Sequence, residues 1–105
     1  MTYQDIAPAR LSTLGPDVRR IDVREPDEYT GPLGHLPDAE LVPLGTLEAA
    51  SADWPRDAPL LLICRSGGRS ARAAQALAQR GFQRLYNLAG GMLAVRESPP
   101  GSTGG

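Results

Sequence analysis

The sequence predicts one α/β domain, built on a sheet that carries helices on both faces. Short strands alternate with short helices along the chain, which is the pattern of that class. Leu60–Ile63 is an unbroken run of four apolar residues, typical of a parallel strand covered on both faces. Residues 70–80 follow with apolar side chains along one stripe, which predicts a helix. The 105 residues suit one domain.

The other elements follow in chain order from turn residues and short apolar stretches. They are a helix at 8–14, a strand at 18–23, a helical turn at 26–29, a loop at 30–37, a short strand at 41–42, a helix at 44–50, a connector at 51–59, a strand at 84–87 and a helical turn at 92–97. Gly81 stands where a left-handed cap would end the long helix, and Phe82 is placed to pack back on Leu77. Residues 98–105 contain only Ser, Pro, Gly and Thr, so we expect a domain at 1–97 followed by a flexible tail.

Composition and charge exclude several classes of function. Hydrophobic residues make up 41% of the chain and charged residues 22%, an ordinary globular mixture. The net charge of −1 creates no field that attracts nucleic acid or a membrane, so neither is expected as a partner. No apolar run reaches the ~20 residues that span a bilayer. Residues 1–10 lack the apolar stretch of a signal peptide, and we expect a cytoplasmic location.

The chain has one cysteine and one histidine. No intramolecular disulfide can form, and this pair is not a credible ligand set, so no metal site is expected. The glycines lack the spacing of a Walker or dinucleotide-binding motif, and we expect no cofactor. Every basic side chain is arginine, so any anion would be bound by guanidinium groups.

The segment with the clearest chemistry joins the apolar strand to the long helix. It reads Cys64, Arg65, Ser66, Gly67, Gly68, Arg69 and Ser70, and is called the Cys64 loop below. Ligands of open α/β sheets bind beyond the carboxyl ends of strands, and Cys64 lies at such an end. The two glycines allow backbone N–H groups to point inward, and the start of the helix adds the positive end of its dipole.

These groups favour a thiolate over a thiol. Arg65 and Arg69 add positive charge, with Arg72 nearby in the first helical turn, and cations and helix N-termini lower a cysteine pKa. We therefore predict a depressed pKa for Cys64, a stabilised persulfide anion and attraction of a small dianionic sulfur donor. The alternative is an inert cysteine at a strand end with solvated arginines, the usual state of a lone cysteine. The strand–loop–helix context favours the reactive interpretation.

Four stretches, in this order, resemble the rhodanese family over residues 6–96. Residues 21–29 (Ile-Asp-Val-Arg-Glu-Pro-Asp-Glu-Tyr) resemble its first strand and acidic turn. Residues 34–39 (Gly-His-Leu-Pro-Asp-Ala) resemble its Gly-His-Ile-Pro-Gly-Ala loop, and the Cys64 loop resembles the active-site loop of its single-domain members. Gly-Phe at 81–82, Tyr-Asn-Leu at 86–88 and Gly-Gly-Met at 90–92 resemble its closing segment.

The resemblance implies the rhodanese-like fold, a central parallel five-stranded sheet with helices on both faces. It implies a sulfurtransferase of the thiosulfate type, in which Cys64 takes a sulfane sulfur from a small anionic donor as a persulfide and passes it to a thiol or cyanide acceptor, which can be a protein. It makes part of the loop the substrate-binding segment, namely Arg65, Ser66, Gly67, Gly68 and Arg69. The residues expected to support the site are Asp22, Arg24, His35 and Ser70. We assign His35 a framing hydrogen bond, since attack by a thiolate needs no general base.

Two positions depart from the family pattern. Asp38 replaces the usual glycine of the second stretch, and Asp tolerates the left-handed conformation better than most residues. Val95 stands where many members have tryptophan after Met-x-Ala, which removes a large packing group and leaves acceptor docking at the last helix open.

Three other functions stay open. A phosphatase is the nearest in fold, but tyrosine phosphatases place five residues between cysteine and arginine, and here four residues separate Cys64 from Arg69. Residues 54–57 (Trp-Pro-Arg-Asp) resemble the phosphatase acid loop poorly, because Arg56 interrupts the match and the stretch precedes the cysteine. An arsenate reductase would lack a second, resolving cysteine. A persulfide carrier that delivers sulfur to one partner protein would use the same chemistry at Cys64.

Overall fold

Five parallel strands form a single sheet in the order β1-β5-β4-β2-β3. The structure is a computed structural model that describes residues 2–97, so the expected tail at 98–105 lies outside the described residues. The strands are β1 (Gln4–Ile6), β2 (Arg19–Asp22), β3 (Glu40–Leu41), β4 (Leu60–Ile63) and β5 (Leu85–Leu88). The α-helices are α1 (Pro26–Tyr29), α2 (Leu47–Ala50), α3 (Gly68–Gln79) and α4 (Gly91–Glu97), and 3-10 helices cover Pro8–Thr13 and Leu44–Thr46.

The central strand β4 separates two hydrophobic cores. Successive side chains of a strand point to opposite faces, so Leu60 and Leu62 pack with α3 while Leu61 and Ile63 pack with α4. All four side chains are fully buried, which explains why the strand is an unbroken apolar run without polar alternation. The sheet with helices on both faces, expected from the sequence, is confirmed.

Most predicted elements lie within two residues of their expected positions, with three exceptions. The helix expected at 44–50 begins as a 3-10 helix at Leu44–Thr46 and continues as an α-helix at Leu47–Ala50. Residues 8–14 were expected as a helix and form a 3-10 helix at Pro8–Thr13. Strand β1 (Gln4–Ile6) was not predicted from its residues, because it has three residues and a single buried side chain, Ile6. It exists because β5 provides a partner, with Asp5 opposite Asn87.

Two local expectations for turns are met. Gly81 has φ +99°, and the N–H of Phe82 donates to the carbonyl of Leu77 at 3.1 Å, closing α3 with a left-handed cap. Asp38 has φ +63°, so the aspartate adopts the left-handed conformation that it was expected to tolerate. Within residues 2–97, no helix combines the length and the apolar character needed to cross a membrane.

Candidate active site

Cys64 follows β4 directly, at the carboxyl end of the sheet, and its residue is 1% exposed. Its side chain belongs to the core between the sheet and α3, yet its sulfur meets polar groups. The backbone N–H of Gly67 donates to Sγ at 3.0 Å, and the hydroxyl oxygen of Ser70 lies 3.2 Å from Sγ. The sulfur is therefore buried against the hydrogen-bond donors of the Cys64 loop, with amides aimed at it.

The carbonyls of the loop are held away from the sulfur by α4. The N–H groups of Met92 and Leu93 donate to the carbonyls of Cys64 and Arg65 at 2.9 and 3.0 Å. Because these carbonyls are bound outside the loop, its N–H groups are the backbone groups that face inward. The first turn of α4 is thus part of the scaffold of the site.

Gly91 is required for that contact. A Cβ at this position would lie 2.4 Å from the carbonyl carbon and oxygen of Arg65 and 2.5 Å from the carbonyl oxygen of Cys64. Its φ of +60° is also unfavourable for other residues. Within the loop, Gly67 has φ +102° at the N-cap of α3, so the chain can turn sharply enough for the Gly67 N–H to reach the sulfur.

The environment lowers the pKa of the Cys64 thiol below its ordinary value. Burial alone raises the pKa, but hydrogen bonds from the Ser70 hydroxyl and from the N–H groups of Ser70, Gly67 and Ser66 outweigh it. The direction agrees with the expectation from the sequence. The inward-pointing N–H groups expected from the sequence are among the causes, together with the Ser70 hydroxyl, which the sequence analysis did not single out, whereas the charges of Arg65 and Arg69 are not among them.

The arginines of the loop differ in their partners. Arg69 binds both carboxylate oxygens of Glu28 through its two terminal nitrogens, each at 2.8 Å. The hydrogen bond from Arg69 is the main cause that lowers the pKa of Glu28 to about 2. Arg65 is exposed and, within residues 2–97, has no ion-pair partner. Arg72 is exposed too and donates no hydrogen bond to the part of the loop that the structure describes.

A cavity of about 270 Å³ lies beside the Cys64 loop, lined by Arg24, Glu28, Pro32, Leu33 and Arg65. Arg65 is the residue of the loop that contributes to this lining. A larger cavity of about 700 Å³ is lined by residues within 11–20 and 37–40, and no residue of the Cys64 loop contributes to it.

A chain of polar side chains behind the sulfur was missed in the sequence. The Ser70 hydroxyl, fully buried, also contacts Oδ1 of Asn87, and Nδ2 of Asn87 donates to Oδ1 of Asp5 at 2.9 Å. Nδ2 of Asn87 also lies 3.3 Å from the carbonyl of Gly67. These bonds fix the orientation of the Asn87 amide, so its oxygen faces Ser70 and competes with the sulfur for the single hydroxyl hydrogen. The available signal was an asparagine at the end of the strand predicted at 84–87.

Asp22 and Arg24 form a buried ion pair at the carboxyl end of β2, next to the end of β4. Nε and Nη2 of Arg24 bind the two carboxylate oxygens at 2.9 and 2.7 Å. The same guanidinium donates to the carbonyls of Gly34 and Glu28. It therefore ties the loop after α1 to the sheet, beside the Cys64 loop.

His35 is exposed and stacks on Tyr29, with ring centroids 3.7 Å apart. Its Nδ1 lies 2.9 Å from the carbonyl oxygen of Tyr29. Its ring lines a separate cavity with Val95 and Arg96, not the one beside Arg65. Val95 is 3% exposed and fills part of the core on that face of the sheet.

Residues 54–57 lie at the other end of α3. Nε of Arg56 donates to the carbonyl of Arg80 at 2.9 Å, and one terminal nitrogen donates to the carbonyl of Trp54 at 2.8 Å. The guanidinium also stacks on Phe82 at 4.6 Å. This segment therefore closes the end of α3 and places no acid at the Cys64 loop.

Comparison with known proteins gives a consistent picture. Residues 8–98 match the family described as Rhodanese-like domain. Over 103 residues the chain is 32% identical to thiosulfate sulfurtransferase GlpE of Pseudomonas paraeruginosa, covering 97% of this chain and 92% of GlpE. It is 44% identical over 71 residues to the uncharacterized protein YqhL of Bacillus subtilis, which is 68% of this chain but 55% of YqhL, so it spans about half of that relative. The crystal structure of a rhodanese-related protein from Thermoplasma volcanium superimposes with a TM-score of 0.80 at 28% identity, covering 93% of this chain and 95% of the other.

Proposed function

The chain belongs to the rhodanese family and is a sulfurtransferase, and on this basis we propose that Cys64 carries the transferred sulfur as a persulfide. The observation that supports the proposal most is the contact of Sγ with the Gly67 N–H and the Ser70 hydroxyl. Donors of this kind stabilise a negative charge on sulfur, whether on the resting thiolate or on the persulfide.

The reaction proceeds in two transfers. The Cys64 thiolate attacks the sulfane sulfur of a donor such as thiosulfate, a new S–S bond forms, and the old bond breaks with its electron pair leaving on sulfite. The acceptor then attacks the outer sulfur of the persulfide. With cyanide as acceptor, thiocyanate leaves and the thiolate is restored; with a thiol, which loses its proton on attack, a new persulfide forms.

The residues around Cys64 divide into two proposed groups. The donor-binding group is Arg65, Ser66, Gly67, Gly68 and Arg69. The supporting group is Asp22, Arg24, His35 and Ser70. Because the sequence holds a single cysteine, no second thiol of the chain can take over the sulfur, and the acceptor must come from outside.

Intact mass spectrometry after incubation with thiosulfate tests the proposal. We expect the wild-type chain to gain one sulfur atom, and the Cys64→Ser variant to gain none, because an alcohol does not replace the thiolate here. Addition of cyanide should remove the sulfur and release thiocyanate. An unmodified wild-type chain after exposure to both thiosulfate and a small persulfide would contradict the proposal.

The alternatives give different outcomes in the same preparation. A carrier would load sulfur but release it slowly to cyanide and rapidly to a protein thiol. A phosphatase would release phosphate from p-nitrophenyl phosphate and form no thiocyanate. The loop supports sulfur transfer over the phosphatase because four residues between Cys64 and Arg69 form a short ring, and Arg69 is already bound to Glu28.

A further inference from the structure

The two arginines at the rim of the Cys64 loop contribute unequal charge. Arg69 and Glu28 form a two-pronged ion pair, with both nitrogen–oxygen distances at 2.8 Å. Their side chains are 31% and 25% exposed, so water screens the pair only partly. Arg65 has no such partner within residues 2–97. At the rim, the positive charge of Arg69 is therefore neutralised by Glu28, whereas the positive charge of Arg65 is not neutralised by an ion pair among the described residues.

Glu28 is fixed in place and fully charged. It is the third residue of α1 and completes a capping box, in which its Oε1 accepts a hydrogen bond from the N–H of Glu25 at 3.1 Å. With the Arg69 hydrogen bond as the largest cause and burial opposing it, its pKa is about 2. The carboxylate is thus a permanent negative charge at neutral pH.

The cavity beside the loop has a mixed lining. Glu28 and Arg65 supply one negative and one positive group, and Pro32 and Leu33 supply an apolar wall. The Arg24 guanidinium also lines it, but this group is already bound to Asp22 and to two carbonyls. Such a lining accommodates one anionic group and an organic substituent better than two negative charges.

We infer that Glu28 is a specificity-determining residue of the sulfur-donor site. Its carboxylate offsets the charge of Arg69 and disfavours a second negative charge on the donor. The preferred donors are therefore sulfane-sulfur compounds with one negative charge and an organic substituent, in place of the dianion thiosulfate. This inference rests on the proposed sulfur transfer at Cys64 and adds the charge class of the donor.

Methanethiosulfonate is the matched probe for thiosulfate. Both anions hold the transferable sulfur on a sulfonyl sulfur, but methanethiosulfonate has a methyl group and one negative charge where thiosulfate has an oxygen and two. In each case the Cys64 thiolate forms a bond to the sulfane sulfur, and the broken bond leaves its electron pair on methanesulfinate or on sulfite. The chemical step is alike, so the ratio of kcat/KM for the two donors reports the charge at the site.

The deciding variant is Glu28→Gln. The amide oxygen of glutamine can still accept from the Glu25 N–H and from one nitrogen of Arg69. Its NH2 group cannot accept the second Arg69 hydrogen bond, so the charge and one hydrogen bond are lost. We expect kcat/KM for thiosulfate, divided by that for methanethiosulfonate, to rise about fivefold at low salt, since one unit of repulsion is removed a few ångströms from the donor. The gain should shrink at high salt. A change in Cys64 reactivity cancels in the ratio.

Asp27→Asn is the control variant. Asp27 is exposed on the same short helix and forms no ion pair with Arg69. The substitution removes one negative charge, as Glu28→Gln does. Its donor ratio should stay within twofold of wild type, whereas Arg65→Gln should lower the ratio. An unchanged ratio in Glu28→Gln, or an equal rise in both acidic variants, would overturn the assignment of Glu28.

The mass measurement separates the two ideas. If wild-type Cys64 takes sulfur from neither donor, the proposed function itself fails. If Cys64 takes sulfur from both donors and Glu28→Gln leaves the donor ratio of kcat/KM unchanged, only the specificity inference fails. Circular dichroism and the thermal midpoint establish whether Glu28→Gln is folded. If this variant does not fold, the donor ratio of Arg65→Gln provides an independent test of the charge at the site.

Discussion

The carboxyl ends of the neighbouring strands β2 and β4 both bury polar chemistry, but they complete it differently. At the end of β2, Asp22 and Arg24 are 0% and 1% exposed, and the carboxylate is matched by a full guanidinium. At the end of β4, Cys64 is 1% exposed, and its sulfur meets N–H groups and a hydroxyl without a contacting cation.

The difference shows how a buried charge becomes structural or reactive. The buried ion pair has all its hydrogen-bonding groups paired within the protein and does not need to bind another molecule. It therefore stabilises one arrangement of the fold. A sulfur surrounded by neutral donors is stabilised as an anion and still keeps its electron pair available. This contrast supports the proposal that the β2 end holds the site in place and that the sulfur chemistry takes place at the β4 end.

Removing the cation from the β2 end should have the largest effect. Arg24→Met leaves the Asp22 carboxylate buried and unpaired, which typically costs about 3–5 kcal/mol of the free energy of unfolding. Urea denaturation should show the loss as a lower midpoint. The double variant Asp22→Asn/Arg24→Met should recover part of the loss, because the remaining buried group is neutral.

A surface pair provides the control for that variant. Arg19 and Glu40 form an ion pair with side chains 34% and 45% exposed, and breaking it with Arg19→Met should cost about 1 kcal/mol or less. A loss in Arg24→Met no greater than in Arg19→Met would show that burial does not distinguish the two pairs.

Distorting the scaffold of the β4 end should have an intermediate effect. Gly91→Ala forces a Cβ against the carbonyls of Cys64 and Arg65 at 2.4 to 2.5 Å, so the loop must move. We expect a loss of about 2 kcal/mol in stability and a fall in sulfur loading of about tenfold or more. Gly45→Ala is the matched control, since nothing lies within 4 Å of a Cβ there, and normal loading in both variants would disprove the scaffold role of α4.

Removing one hydrogen-bond donor from the sulfur should have a clear effect on the pH dependence of Cys64 reactivity. The pKa of Cys64 is lowered, so the thiolate forms at a lower pH in the folded protein than in the unfolded chain, and this contribution to stability is lost as pH falls through the folded pKa. Ser70→Ala removes the hydroxyl and should raise the midpoint of alkylation rate against pH by about one unit.

Ser66→Ala tests whether backbone or side chain matters. Ser66 acts on the sulfur through its N–H, which the substitution keeps, so the alkylation midpoint should stay within a few tenths of a unit. Equal shifts in Ser70→Ala and Ser66→Ala would refute the assignment of the Ser70 hydroxyl as the sulfur's side-chain donor.

The sequence predicted the elements whose side chains report burial directly. The run at 60–63 and the stripe of α3 have strong periodic patterns, and both elements lie where expected. Strand β1 has no such pattern, because three residues with one apolar side chain match many structures. Only its pairing with β5, about 80 residues later in the chain, makes it a strand.

The Cys64 loop could be predicted from the sequence, but the long-range hydrogen bonds around it could not. Cys64, the glycines and the helix start follow from local sequence, since neighbours along the chain determine them. The pairing of Glu28 with Arg69 spans 41 residues and that of Asp5 with Asn87 spans 82, and no local pattern encodes such contacts. The sequence therefore predicted that the arginines would add to the effect of the loop amides on the Cys64 pKa, and it gave no sign that Arg69 is bound to Glu28.

The two edge strands of the sheet affect the tendency of the protein to aggregate. The outer strands are β1, with three residues, and β3, with two. Short edges expose few unpaired backbone groups, and Glu40 on β3 adds a charge that is engaged by Arg19. An extended segment of another molecule can form few backbone hydrogen bonds with either edge strand, and this disfavours edge-to-edge aggregation.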